Sequence, residues 1–591
     1  MKKRILYLMT LLLTLSMLLV SCGWHQNQDA RQVAKAILAE SGEADIIVYG
    51  QICTMDTLCP TAEAMTVKNG LIQYVGSAQV AKKLRGKHTQ IADYGTNYVY
   101  PGICESHAHG ALAASRLYLE ADLVDKAKKM TDYAQLMKEY MENHPGMTLY
   151  RGSGWDVLDT LPDARMLDAV CPDVPMVLQS SDGHSMWLNT AALNAYGFTP
   201  EYAKEAGYDL VRVREDGTPT GYISETPVSK LVKYIAPSKD DYKKGLLMWQ
   251  DYAFTQGITA TTEAFLNIGG DAVIDAYREL VDEGLWHLRT FAVYCVDENA
   301  EDPQAELDKI VKLSREADSE YFKISGLKVF MDGVVEAHTG WLLQPYADDS
   351  TYYGLKRRTD VEQLSQMIQY INENGLSVHF HTIGDGAVHT AIEAVALAED
   401  RIGKRDCRNI FSHLQVVDSA DIVKMGEYQV IAAVAPLWMP TVQPFYDRDV
   451  SYIGTDRAWN DYPVRSFLNA GCVITFHTDY PVSSEMSIPR SIYCAVRRSM
   501  HAPGAEMAKN PKECINPQQA MKAMTVNVAY QWRQEDHLGS LTPGKAANYV
   551  VYDTDLVNDD MECVYNARLL CTAVDGIEYY NVNRIEEGDL E

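Results

Sequence analysis

The sequence has no CxxC pair, no low-complexity tract and no short internal repeat. Without repeats or biased tracts, a solenoid or a disordered scaffold is excluded. Basic residues are scarce: 53 Lys and Arg stand against 80 Asp and Glu, a net charge of −27 that argues against a nucleic-acid-binding surface. Besides Cys22 there are eleven cysteines, an odd number with no even spacing, which does not read as a disulfide framework. Cys104, Cys472 and Cys571 lie inside apolar strand-like runs, so mostly free, buried thiols are expected. What is present is a chain of 591 residues, 47% hydrophobic and 23% charged, ordinary for a globular protein and long enough for more than one domain.

The N-terminus reads as an export signal. Lys2, Lys3 and Arg4 precede an almost unbroken apolar run over residues 5–20, short of the about 20 residues a spanning helix needs but suited to a signal-peptide core. The run ends Leu19-Val20-Ser21-Cys22-Gly23, which resembles the bacterial lipoprotein box, cut before a cysteine that receives lipid. Residues 1–22 are therefore expected to be a lipoprotein signal peptide, Cys22 the lipidation site and residues 23–43 a tether, polar over Gly23 to Asp29 and with a short amphipathic segment near Val33 to Leu38. An uncleaved anchor is the alternative. Either way the protein is expected outside the cytoplasm, held at the cell membrane.

The rest falls into three stretches. Residues 44–98 are β-like, with Asn69-Gly70 as a strong hairpin signal. A matching β segment returns over residues 536–591, suggesting one small β-sandwich domain built from both ends. Between them, residues 99–535 alternate strands with helices, the pattern of an α/β parallel sheet or barrel. Ten strand candidates compete for eight barrel places, so two belong to an insertion around residues 116–237. One helix is legible in detail: Thr359-Asp-Val-Glu362 reads as a capping box, Val361, Leu364, Ile368 and Ile371 follow at helical spacing, and Gly375 supplies the stop.

The chemistry starts at His107 and His109, which end the apolar run beginning at Val99. Residues two apart on a strand share a face, so this segment can aim two imidazoles at one cation. Lys328, His381, His413 and Asp479 each close a later strand-like run. In a (β/α)8 TIM-type barrel, residues at the C-terminal ends of separate strands converge on one mouth. Three imidazole sources and a carboxylate suit zinc or a similar divalent ion with a position left open.

An ordered set of motifs goes further: Pro101-Gly-Ile-Cys-Glu-Ser-His-Ala-His109, Asp182-Gly-His184 with Asn189, and Thr220-Gly221 with Glu225. There follow Leu327-Lys-Val-Phe-Met-Asp-Gly333, His381-Thr-Ile-Gly-Asp385, Ser412-His-Leu-Gln415, His477-Thr-Asp-Tyr-Pro-Val482 and Gly539-Ser-Leu-Thr-Pro-Gly-Lys545. Over nearly all of residues 45–580 the chain resembles the amidohydrolase superfamily, and more narrowly amidohydrolase family 3, with its YtcJ-like and N-substituted formamide deformylase-like members. The resemblance implies a metal-dependent hydrolase acting on a non-peptide C–N bond, an amide or formamide, with one or two divalent ions, zinc foremost, and a small-molecule substrate. The same activated water would serve an ester, lactone or cyclic amide; a non-catalytic substrate-binding lipoprotein is the reading from another class.

By position, the resemblance makes His107, His109, His381, His413 and Asp479 metal ligands, with Asp479 also the base. Lys328 falls where many superfamily members carry a carboxylated lysine; an unmodified ammonium has no lone pair to give, and a buried ion-paired lysine is the alternative. His184 is the expected donor to a developing oxyanion. Trp155, Asp156, Glu225 and His338 are weaker substrate-lining candidates. His379 shares a strand face with His381 and stays open as a competing ligand. Three positions depart from the pattern: Ser412 stands where relatives commonly have Glu, Gly386 where Arg often follows, and His477 where a small residue is usual.

Overall fold

The computed structural model describes residues 30–584, except 125, 157–159, 181–184, 225, 298–299, 404, 443–444 and 502–507. Cys22, His184 and Glu225 thus lie outside the described residues. The chain divides into two compact units, residues 1–109, 250–266 and 286–591 against residues 110–249 and 267–285.

The first unit holds an eight-stranded parallel barrel sheet: β1 (Ile103–Ala108), β2 (Ile258–Glu263), β3 (Arg289–Cys295), β4 (Phe322–Phe330), β5 (Ser377–Thr382), β6 (Ile410–His413), β7 (Ile431–Val434) and β8 (Ile474–Phe476). Each strand pairs in parallel with the next in this order, and this is the expected α/β barrel. The first and last strands meet just beyond their ends, where Asp479 N–H donates to His107 O (3.1 Å) and His109 N–H to Tyr480 O (2.8 Å). Gly102 leads into β1 because no side chain fits there: a Cβ would lie 2.2 Å from Thr259 Oγ1.

Both chain ends build a seven-stranded sheet in the same unit. Tyr549–Tyr552 pairs antiparallel with Arg85–Pro101, bringing the C-terminal strands beside the N-terminal ones. Val67 and Ile72 from one half share a core with Val551 and Ala573 from the other. Asn69 (φ 51°) and Gly70 (φ 76°) make the expected hairpin between Thr61–Lys68 and Leu71–Gly76. Within residues 23–43, read from sequence as a tether with a short amphipathic segment near Val33 to Leu38, Ala30–Ser41 is a helix whose Val33, Ala34 and Ile37 pack with Ile47 and Tyr74 of the sheet.

In the second unit, Glu120–Asp122, Tyr150–Trp155 and Met176–Ser180 run parallel, and Ser185–Leu188, Pro219–Ser224 and Val211–Val213 complete a six-stranded sheet. The two surplus strand candidates, near residues 149–152 and 176–179, belong here.

The helix Val361–Glu373 has its N-cap at Asp360, whose carboxylate accepts from Gln363 N–H at 3.0 Å. The cap is therefore one residue later than the sequence pattern suggests, because Asp satisfies the exposed donors. Cys104, Cys171, Cys407, Cys472, Cys494 and Cys571 are buried free thiols. Among the described residues, no helix is long and apolar enough to cross a membrane.

Candidate metal centre

The C-terminal ends of the barrel strands gather the titratable side chains. Strand β1 delivers His107, fully buried, and His109 lies just beyond the strand. Their Nε2 atoms lie 3.2 and 3.1 Å from the same Asp479 oxygen, Oδ1. One ligand atom from each of these residues falls within 4.8 Å of those of the other two.

Asp479 reaches this place through a stitched seam. Glu105, on β1, accepts from His107 N–H (3.1 Å), Thr478 N–H (3.1 Å) and Thr478 Oγ1–H (2.9 Å). The seam joins β1 to the turn after β8 and leaves Asp479 in the left-handed region at φ 61°, an uncommon conformation of the kind that clusters at functional sites. His413 (φ 77°) and Leu414 (φ 53°) share it at the end of β6.

The remaining predicted donors adjoin the seam. The His413 ring lies 4.9 Å from that of His107 and 4.6 Å from that of His381, centroid to centroid. His381 Nε2–H donates to Gly333 O at 3.0 Å, which leaves Nδ1 as its basic nitrogen. Lys328 is fully buried on β4, its ammonium 5.1 Å from the centre of the Phe330 ring. His379 points to the same interior as His381 but lies against His107: its Nε2 is 2.8 Å from His107 Nδ1.

Three contributors escaped sequence reasoning. Glu105 was visible only as a letter in the His-Ala-His motif, yet it ties the seam. Asp332, in the loop after β4, accepts from the N–H groups of Trp341, Ile383 and Gly384 at 2.8 to 3.0 Å and holds the loops after β4 and β5 together. His477, noted only as a departure, has its ring 5.0 Å from His107 and 5.2 Å from His413.

Other predicted residues are occupied elsewhere. His338 pairs with Asp348 (2.8 Å) and packs on Tyr452. Trp155, expected to line a substrate pocket, is buried in the core of the second unit, where its indole N–H donates to Leu178 O at 2.9 Å. A large apolar ring with one satisfied donor stabilises that core instead. Asp156 accepts from Tyr133 Oη at 3.1 Å.

The electrostatics favour neutral imidazoles. Burial, reinforced by the Lys328 charge, holds His107 and His379 well below the usual histidine range, and burial does the same for His413. Burial likewise lowers His381 to about 3 and His477 to about 4. Lys328 is pushed down to about 8 by burial, with Asp479 opposing. Burial works to raise Asp479, but the His109 ring beside it and the neighbouring imidazoles hold it below the carboxylate range. Burial raises Glu105 to about 8 and Asp332 to about 7.

Unmet hydrogen-bonding capacity tests what could sit here. Among the described residues, His107 Nε2, His109 Nδ1, His413 Nδ1, both nitrogens of His477 and Asp479 Oδ1 are buried without a hydrogen-bond partner. Orphaned polar atoms are rare in protein interiors and costly. Clustered neutral imidazoles beside an ionised carboxylate are the donor set of a divalent cation, so the residues fit one.

In a parallel barrel, catalytic residues come from the C-terminal ends of several strands, which is where these donors lie. The sequence model of the amidohydrolase family matches residues 90–580. The chain is a metal-dependent hydrolase belonging to that family. It is 27% identical to Protein LONG AFTER FAR-RED 3 of Arabidopsis thaliana, over 91% of this chain and 92% of that protein. Identity to the putative amidohydrolase YtcJ of Bacillus subtilis is 24%, covering 89% and 97%. For the N-substituted formamide deformylase of Arthrobacter pascens it is 22%, covering 90% and 98%. In fold the chain is similar to an uncharacterized metal-dependent hydrolase from Pyrococcus furiosus, with a TM-score of 0.71 at 22% identity over 87% of this chain and all of that one.

Proposed function

We propose that this chain is an exported, lipid-anchored amidohydrolase that cleaves a non-peptide C–N bond, an amide or formamide, in a small molecule. The observation that carries the reading is the meeting of His107, His109 and Asp479 within 4.8 Å, with the orphaned His107 Nε2 and Asp479 Oδ1 3.2 Å apart. Likeness to a formamide deformylase supports the choice of bond. His107, His109, His381, His413 and Asp479 would hold the ion, for which zinc suits the imidazole-rich set. Lys328 joins them only if carboxylated; a buried amine lowered to about 8 is partly neutral near physiological pH, the form that reacts with carbon dioxide. A bound divalent ion supplies Lewis acidity and lowers the pKa of water toward neutrality.

The chain's own groups do the rest. Asp479, ionised beside two imidazoles, accepts the proton of the attacking water and hands it to the departing amine nitrogen. His184 is proposed as the donor to the developing oxyanion. Glu105 keeps the Asp479 carboxylate in place through Thr478.

Metal analysis of the purified protein with a His107→Ala control tests the centre: bound metal that vanishes in the variant is expected, and none in the wild type would favour a substrate-binding lipoprotein. Turnover of N-formyl and N-acyl compounds by metal-reconstituted enzyme tests the bond; faster cleavage of esters, lactones or cyclic amides would move the assignment to those substrates. Membrane fractionation of the wild type and Cys22→Ser tests the anchor, with release of the variant expected.

A further inference from the structure

His107 has one ring nitrogen toward Asp479 and one toward the barrel interior. Among the described residues, the interior nitrogen, Nδ1, meets no carboxylate or backbone carbonyl. It lies 2.8 Å from His379 Nε2 and 3.2 Å from Ser412 Oγ, and these two atoms are themselves 2.5 Å apart. All three side chains are buried, His379 at 1% exposure and the other two at 0%. They come from β1, β5 and the end of β6, so the parallel register assembles them.

Hydrogen-bond logic then assigns the protons. For His107 Nε2 to offer a lone pair on the Asp479 side, the ring's single proton must sit on Nδ1. His379 Nε2 must be the acceptor, which places the His379 proton on its own Nδ1. Ser412 Oγ lies 2.5 Å from the same nitrogen and 3.2 Å from His107 Nδ1, so its hydroxyl shares the one His379 lone pair with the His107 N–H and keeps that ring from turning away. We propose that His379, anchored by Ser412, is a positioning residue that sets the tautomer and ring orientation of His107 for metal binding. Outer partners of this kind are usually carboxylates, carbonyls or waters; here an imidazole and a hydroxyl take that place. The inference rests on the reading of His107 as a metal ligand.

The test uses the full chain, Zn²⁺ alone as probe, and competition against a chromophoric chelator. His379→Leu fills similar space without an acceptor, whereas His379→Gln keeps an oxygen able to accept from His107 Nδ1–H. The leucine variant is expected to bind Zn²⁺ about 10- to 100-fold more weakly, with a changed visible spectrum when loaded with Co²⁺. The glutamine variant should stay within about threefold of wild type, because its acceptor satisfies the same donor. Equal affinity of wild type and the leucine variant would overturn the proposal. Equal losses in the leucine and glutamine variants would overturn it too, since packing rather than proton acceptance would then matter. If the leucine variant does not fold, Ser412→Ala decides: a several-fold loss supports the anchoring and unchanged affinity refutes it. Should the wild type and His107→Ala both take up no Zn²⁺, the metal centre itself fails, a result distinct from either of the others.

Discussion

An asparagine pair at the N-terminal end of the barrel and the imidazole cluster at its C-terminal end treat buried polar groups in opposite ways. At the N-terminal end, Asn409 Oδ1 accepts from Val378 N–H (2.9 Å) and Asn372 Nδ2–H (3.0 Å), while Asn409 Nδ2–H donates back to Asn372 Oδ1 (3.1 Å). Each of these bonds ties one segment to another. At the C-terminal end, at least six buried ring and carboxylate atoms lack a partner. A satisfied network adds stability and asks for nothing more, whereas an orphaned one costs stability until a ligand completes it. The contrast separates residues kept for folding from residues kept for chemistry.

The strongest way to sharpen that contrast is Asp479→Asn, which keeps the shape and removes the charge. Turnover is expected to fall on the order of 10²–10⁴-fold; steady-state kinetics showing less than a tenfold loss would place the base elsewhere. Next is Glu105→Gln, which weakens the seam without touching the ion. Metal affinity should drop by about 10-fold, the low end for a group that orients a ligand, as read by chelator competition. Unchanged affinity would mean that backbone bonds alone hold Asp479.

Metal addition offers a third test. An ion that binds only the folded state adds about 2.7 kcal/mol at 100 times its Kd, so the apo protein should melt several degrees lower. Asn409→Ala should destabilise by about 1–3 kcal/mol through the donors it strands, while metal affinity per folded molecule stays the same. If Asn409→Ala weakened metal binding as well, the two ends would not be independent.

The most gradual effect is that of pH. His381 and His477 titrate near 3 and 4 when folded, below the free histidine value of 6.5. Between those limits the unfolded chain holds the extra protons, so their contribution to stability is complete above about pH 6.5 and lost as pH falls toward 3–4. Chemical denaturation of the apo protein at pH 7 and pH 5 should show this decline. A flat profile would mean these rings are more solvated than their burial implies.

Much of this was legible in the letters. A pair of imidazoles two residues apart at the end of an apolar run can be read without coordinates, because strand geometry repeats every two residues. So can the Asn69-Gly70 hairpin, since few residues accept its left-handed backbone, and the sheet assembled from both chain ends. Depth was not legible. His379 and His381 share one face by period, yet one lies against His107 and the other beside His413, a difference set by how β5 is staggered against β1 and β6. Trp155 is a substrate-lining candidate by sequence, and only packing shows it inside a core.

From its own residues this chain dictates alternating strands and helices, a β domain closed by its two ends, and metal-binding side chains at strand termini. Those follow from local periodicity and residue chemistry, which need no knowledge of neighbours. Which nitrogen faces which partner, how Glu105 sews Asp479 to the first strand, and where His477 comes to rest were decided only by the folded barrel. Contacts between residues hundreds of positions apart depend on register and closure, and no short stretch of sequence contains them.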